Sequence, residues 1–198
     1  MFGIDGVLYV PAYISPQHHD DLVGRIDAQP WRTDLARRTQ HYGYVYDYRV
    51  RSVDASAWLG ELPPWLARIA RQLAVDGLVQ YVPDQAIVNE YLPGQGIADH
   101  VDCTPCFGDV IVSLSLGAPV MMDLKRQGEH VAVWLEPRSL LVLRGEGRYA
   151  WTHGIARRQY DVLGGVRVPR ERRLSVTFRR VIVAAPYTSE APDRAVSD

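Results

Sequence analysis

Two cysteines in 198 residues are too few for a disulfide framework. No apolar run approaches the roughly 20 residues needed to span a bilayer. The first residues, Met1-Phe2-Gly3-Ile4-Asp5-Gly6, lack the positive and apolar regions of a secretory signal. A cytoplasmic protein in a reducing compartment, without membrane contact, is therefore expected. Net charge is also scarce, at −1, so the chain as a whole does not advertise a polyanionic partner. The two cysteines stand together as Cys103-Thr-Pro-Cys106. A single such pair cannot complete a tetrahedral zinc site. They are expected as two thiols in a loop, with a redox-sensitive pair as the alternative.

What the chain does have is apolar and aromatic content, 47% hydrophobic residues with 11 Tyr and 5 Trp, which calls for a packed core. One domain over 1–188 is expected, with the small, polar segment 189–198 as a flexible tail. Val7–Ile14 reads as a strand demoted to an edge by Pro11. Ser15-Pro16 supplies an N-cap and a proline at the first helical position, opening a helix to about Asp27. Pro64 to Gly77 is the clearest helix, with Trp65, Leu66, Ile69 and Leu73 on one stripe. Short strands then recur at about 86–91, 109–116, 119–124, 130–135, 139–143, 149–153 and 173–183. Gly or Pro punctuation separates most of them. The expected fold is mainly β with flanking helices, α+β in class, its core over about 79–183 a barrel or jelly roll.

Candidate chemistry begins with His100-Val-Asp102. Side chains two apart on a strand share a face, so both could grip one metal. Two histidines and a carboxylate on one octahedral face suit a non-haem Fe(II) centre. Of the later histidines, His130 follows a turn beside Glu129, whereas His153 ends an apolar run before Gly154. His100, Asp102 and His153 are therefore the candidate triad. In Arg173-Leu-Ser-Val-Thr-Phe-Arg179 the arginines fall on one polar face, with Ser175 between them. Such a face is either solvated or turned into a barrel mouth, where guanidinium groups can hold a dicarboxylate. Asn89 and Tyr91 could add hydrogen bonds. Gln40–Arg49 carries four tyrosines, either a half-buried hairpin or a stacking platform for bases. Ten arginines against three acids from Arg144 to Arg180, and a basic balance over 31–52 that includes Arg49 and Arg51, are compatible with a phosphate-facing side.

Together these residues resemble the AlkB-type Fe(II)/2-oxoglutarate dioxygenases over about residues 31 to 182. The matching pieces are Asn89-Glu-Tyr91, Pro93-Gly94, His100-Val-Asp102, Ile111–Gly117, Gly145–Tyr149, His153-Gly154 and Arg173–Arg179. Longer phrases, such as Gln40–Tyr44 and Arg148–Ile155, are similar to the branch that hydroxylates modified wobble uridines in tRNA.

The resemblance implies a double-stranded β-helix with a nucleotide-recognition lid over about 31–52, Fe(II) as metal, and 2-oxoglutarate and O2 as cosubstrates. It implies iron on His100, Asp102 and His153. It puts 2-oxoglutarate on Asn89, Tyr91, Arg173, Ser175 and Arg179, and substrate near Arg38, Tyr42, Tyr44, Tyr46, Thr104, Arg148 and Trp151. Two positions depart from the family pattern. Ser175 stands where an Asn is usual, and Thr104 stands where an acidic residue helps read the base. The expected function is oxidative dealkylation of N-alkylated bases in DNA or RNA, by a monomer. The alternatives are hydroxylation of a modified tRNA uridine, or of a protein or small molecule, and a non-catalytic β-barrel binding protein.

Overall fold

In the computed structural model, residues 3–48, 50, 52, 53 and 55–182 are described. Arg49, Arg51 and the expected tail at 189–198 lie outside them. In chain order the elements are β1 (Val7–Val10), α1 (Pro16–Asp27), β2 (Thr39–Tyr42), a 3-10 turn (Ala55–Ala57), α2 (Pro64–Val75), β3 (Gln85–Tyr91), β4 (Ile97–His100), β5 (Ile111–Gly117), β6 (Val120–Arg126), β7 (Glu129–Leu135), β8 (Leu140–Leu143), α3 (Gly145–Tyr149), β9 (Thr152–Ile155), β10 (Tyr160–Leu163), β11 (Val166–Pro169) and β12 (Arg173–Arg179).

The strands form a six-stranded sheet in the order β1-β8-β5-β12-β3-β2, a four-stranded sheet β4-β9-β6-β7, and the separate hairpin β10-β11. The crossed order, with β12 between β3 and β5, is that of a jelly roll. Every pairing within the sheets is antiparallel. Among the described residues, no helix is long and apolar enough to cross a membrane.

Period-two alternation decides what each face of the large sheet does. Leu174, Val176 and Phe178 of β12 point one way, with Ala86 and Val88 of β3 and Val112, Leu114 and Leu116 of β5. They pack against Leu22 and Ile26 of α1 and Leu66, Ile69 and Leu73 of α2. Each such side chain removed from water contributes about 1.5–3 kcal/mol. The intervening residues Arg173, Ser175, Thr177 and Arg179 turn to the other face, toward the smaller sheet. The arginines of β12 are thus held inside because their neighbours in sequence are needed by the helices.

Both helices start as the sequence predicts. Ser15 Oγ accepts from the His18 backbone N–H, and Pro64 opens α2. Three local expectations are corrected. Residues 149–153 are not one strand: Gly145, at φ 51°, turns the chain into the short helix α3, and β9 begins only at Thr152. The strand assumed through His100 and Asp102 lies further upstream, as β4 over Ile97–His100, and its ladder with β9 is irregular between Ile97 and His100. The hairpin β10-β11 was missed, although Gly164-Gly165 between apolar runs is a recognised turn signal.

Candidate metal and cosubstrate site

Between the two sheets lies a cavity of about 360 Å³. His100 closes β4 and His153 lies directly across from it on β9. Their ring centroids are 4.3 Å apart. Asp102 is not on the strand, as the His-x-Asp spacing predicts, but in the loop just beyond it. That loop folds back so that one ligand atom from each of His100, Asp102 and His153 lies within 4.8 Å of the others. His100 Nδ1 is 2.8 Å from the Ala98 carbonyl. A carbonyl only accepts, so Nδ1 carries the proton and Nε2 keeps its lone pair for the cavity.

Burial favours the neutral form of Asp102, but Arg179, His153, His100 and Arg148 together outweigh it and hold the carboxyl well below the usual carboxylate range. Burial pushes His153 down to about 4, so its imidazole is neutral at physiological pH. Arg179 Nη2 donates to Asp102 Oδ1 at 3.0 Å, while Oδ2 is buried with no partner. An ionised oxygen left unsatisfied beside the imidazoles of His100 and His153 fits a divalent cation.

The cosubstrate side shows the same kind of vacancy in hydrogen bonding. Arg173 is 2% exposed. Its Nη2 donates to Ser115 Oγ at 3.1 Å and its guanidinium lies 5.5 Å from the Tyr91 ring centre, but Nε and Nη1 are buried without partners. Burial lowers its affinity for the proton, yet an arginine stays charged at neutral pH. An unpaired buried cation is costly, and a carboxylate would relieve it. Asn89, Tyr91, Ser175 and Arg179 line the same cavity. Ser175 and Ser113 hydroxyls are 2.8 Å apart, so the serine found where an asparagine is usual is tied to β5.

The expected substrate residues separate. Tyr46 lines the cavity, 5.4 Å from the Phe107 ring. The other six do not. Tyr42 packs edge-on against Trp65 in the helix-side core, and Tyr44 leans on Trp58. Arg38 is drawn to the buried Glu90 carboxylate, at 2.6 and 2.8 Å. Thr104 sits exposed on a turn. Trp151 is buried beneath the Arg126 guanidinium.

Arg148 is buried too, and donates to the carbonyls of Asp102, Cys103 and Gly108 at 3.0, 3.2 and 3.4 Å. It therefore pins the loop that carries a metal ligand and does not face the substrate. Replacing it with Met should lower stability by about 3 kcal/mol, since three carbonyls lose a charged donor. Metal affinity should fall 10- to 100-fold, roughly the cost of losing an outer-sphere support. Thermal melts with and without Mn(II) measure both, and an unchanged metal-induced shift would contradict this role.

Arg37, Tyr48, Leu35 and Arg157 line the cavity and were missed. Arg37 Nε donates to Asn89 Oδ1 at 2.8 Å and lies 5.7 Å from the Tyr48 ring centre. In sequence Arg37 is indistinguishable from its neighbour Arg38. Only the way the segment before β2 crosses β3 sends one to Asn89 and the other to Glu90. The broader basic segment is also redistributed, because Arg148, Arg170, Arg173 and Arg179 are buried and serve internal contacts. Cys103 and Cys106, expected as thiols, are joined in a disulfide. That removes thiol chemistry as a ground for assigning a reducing compartment.

Two histidines and a carboxylate at one end of a jelly-roll cavity, facing a buried arginine, define a non-haem iron oxygenase site. The chain belongs to the 2OG-Fe(II) oxygenase superfamily, whose family model matches residues 6–179, and within it to the AlkB homologues. Fe(II) is its metal, and 2-oxoglutarate and O2 its cosubstrates.

The chain is 34% identical over 182 residues to the uncharacterized protein L905 of Acanthamoeba polyphaga mimivirus, covering 90% of this chain and 86% of that one. It is 40% identical over 167 residues to the tRNA (carboxymethyluridine(34)-5-O)-methyltransferase alkbh8 of Xenopus tropicalis. That match covers 80% of this chain but only 26% of the frog protein. The solved structure of OsALKBH1 superposes with a TM-score of 0.70 at 20% identity, over 91% of this chain and 99% of that one, and shows the shared fold.

Proposed function

We propose that this chain oxidises a carbon on a modified base of nucleic acid, and that the base is neutral or anionic, as a modified tRNA uridine is. The observation that carries the charge preference is the cavity lining. Arg37, Arg157, Arg173 and Arg179 contribute four cations, and Asp102 is the only carboxylate among the described lining residues. The doubly negative cosubstrate and Asp102 do not neutralise these arginines and Fe(II), so a cationic N-alkylated ring would enter an electropositive site. The frog relative, whose printed name specifies a carboxymethyluridine of tRNA, supports the same direction. Dealkylation of a cationic base is the second reading. Tyr46 and Tyr48, with ring centres 4.9 Å apart at the cavity, favour it, because their faces could hold a cationic ring.

His100, Asp102 and His153 would hold Fe(II), with the Nδ1–H of His100 anchored on the Ala98 carbonyl to fix the ring. Bound iron supplies the O2-activating chemistry in which 2-oxoglutarate is decarboxylated to succinate and CO2 while one oxygen atom enters a substrate C–H bond. Arg173 would pair with the far carboxylate of 2-oxoglutarate, and Arg179, already on Asp102, would lie near the other. Asn89 is positioned for the same molecule by Arg37, which ties the lid to β3. Tyr46, Tyr48 and Phe107 wall the cavity against water, and the tyrosines can stack on a base turned out of its strand.

A succinate-release assay with Fe(II) and 2-oxoglutarate tests the proposal against modified tRNA, N-methylated RNA and N-methylated DNA. Turnover on tRNA without formaldehyde is the expected result. Formaldehyde from a methylated oligonucleotide would select dealkylation instead, and the absence of substrate-stimulated succinate with all three would overturn the nucleic-acid reading.

A further inference from the structure

The hairpin β10-β11 takes no part in either large sheet, yet its base is heavily built. Asp161, 1% exposed, accepts from Arg170 Nε and Nη2 and from Arg158 Nε, all at 2.8 Å, and from the Met121 backbone N–H at 3.1 Å. Arg170 Nη1 also donates to the Ala156 carbonyl at 2.6 Å. An aspartate this deeply buried is costly when ionised unless every lone pair is used, and here the buried Arg170, the half-exposed Arg158 and the Met121 N–H use them. The result is a rigid root for a strand pair whose outer part packs on little.

The register sets the two faces. Asp161 pairs with Val168 and Val162 with Arg167, so Tyr160, Val162 and Arg167 lie opposite the face that carries Asp161. That opposite face is open. Val162 is 49% exposed and Tyr160 38%. The Arg167 guanidinium lies 3.6 Å from the Tyr160 ring centre, stacked on the aromatic face, and makes no ion pair among the described residues. Arg157, three residues before β10, is also exposed without a carboxylate partner among them, and it lines the catalytic cavity. Cations without acids beside exposed aromatic and apolar groups form a surface for a polyanion with stackable rings. Arg157 lines the cavity and stands three residues before Tyr160, so the chain runs directly from the cavity wall into the hairpin.

We infer that the outer face of the β10-β11 hairpin is a docking platform for the nucleotides that flank the base held in the cavity. Tyr160 with Arg167 offers a stacking face, and Arg157 and Arg167 take backbone phosphates. This inference rests on the nucleic-acid reading above and adds a second contact region to it. It implies that affinity depends on chain length, because a mononucleotide fills the cavity without reaching a hairpin whose strands are about 13 Å long.

The test is fluorescence anisotropy with labelled 12-nucleotide single strands, one RNA and one DNA, alongside kcat/KM on the modified 12-mer and on its mononucleotide. Arg167→Ala should weaken binding of the better 12-mer about tenfold and reduce its logarithmic salt slope by about 1. The preference for 12-mer over mononucleotide should fall by a similar factor, with the melting temperature held. Arg167→Lys should keep the salt slope and lose the stacking part. Val162→Ser on the same face carries the test if Arg167→Ala does not fold. Variants that bind the 12-mer as tightly as the wild type, with the same salt slope, would overturn the platform alone. A wild-type protein that binds neither strand would overturn the platform and the nucleic-acid reading together.

Discussion

Arg173→Met is expected to stabilise the free protein while weakening its use of 2-oxoglutarate by about two to three orders of magnitude. The two signs have one cause. In the free protein Arg173 is buried with Nε and Nη1 unpaired, and among the described residues its guanidinium donates only to Ser115. A desolvated cation without a counter-ion opposes folding, and replacing such groups with apolar ones of similar size is neutral or stabilising by about 1–4 kcal/mol. In a protein of this length that amounts to several degrees in Tm. When a carboxylate arrives, the same guanidinium becomes a buried, hydrogen-bonded ion pair. Losing one partner of such a pair costs about 2–5 kcal/mol, and each 1.4 kcal/mol is tenfold in affinity. Differential scanning fluorimetry without ligand measures the first effect, and KM for 2-oxoglutarate in the succinate assay the second. A variant that melts lower and keeps its KM would show that Arg173 is a structural residue.

Asp102→Asn should behave in the opposite way in the free protein and still abolish turnover. Asp102 Oδ1 accepts from Arg179, so neutralising it leaves a buried guanidinium without its counter-charge. Hydrogen bonds to charged groups contribute about 1.5–3 kcal/mol, and a loss of that order in stability is expected. The amide also presents an N–H in place of Oδ2, the unsatisfied oxygen at the metal position. Metal at 100 times its Kd stabilises a protein by about 2.7 kcal/mol, so Mn(II) should raise the melting temperature of the wild type and not of the variant. Losing the several kcal/mol of charge stabilisation that a metal supplies should reduce succinate release about a thousandfold or more. A metal-dependent shift retained in Asp102→Asn would remove Asp102 from the ligand set.

These two residues also mark how legible the site was. His100, Asp102, Arg173 and Arg179 could be selected before any fold was known, because short spacings carry facial information once a strand is assumed. For Arg173 and Arg179 the assumption was correct, and period two placed both in the cavity. For Asp102 it was not, since β4 ends at His100, yet the spacing still worked because the loop returns to the same point. His153 was chosen by elimination, and the antiparallel pairing of β4 with β9 supplies the reason it lies beside His100.

The tyrosine-rich segment was the least legible part. Tyr42, Tyr44, Tyr46 and Tyr48 look equivalent in a run of alternating aromatics. Three partners separate them: Trp65 takes Tyr42, Trp58 takes Tyr44, and Phe107 takes Tyr46, on which Tyr48 packs in turn. Those partners come from α2, from the segment before it, and from the loop after the metal motif, and no local pattern encodes their arrival. Arg37 and Arg38 are separated for the same reason, one by Asn89 and the other by Glu90. Cys103 and Cys106 show a different limit, because two residues between cysteines permit both free thiols and a closed bridge, and the turn through Thr104 brings the sulfurs together.

By itself, then, the sequence determined the class of fold, the metal-binding residue types and the arginine face, because these depend on periodicity and chemistry within a few neighbouring residues. Tertiary structure alone decided which aromatics and arginines reach the cavity, that Arg148 serves the loop instead of the substrate, and that β10-β11 stands open beside the site. Each of those outcomes is a choice between partners far apart in the chain, settled by burial and charge pairing that exist only once the two sheets have closed.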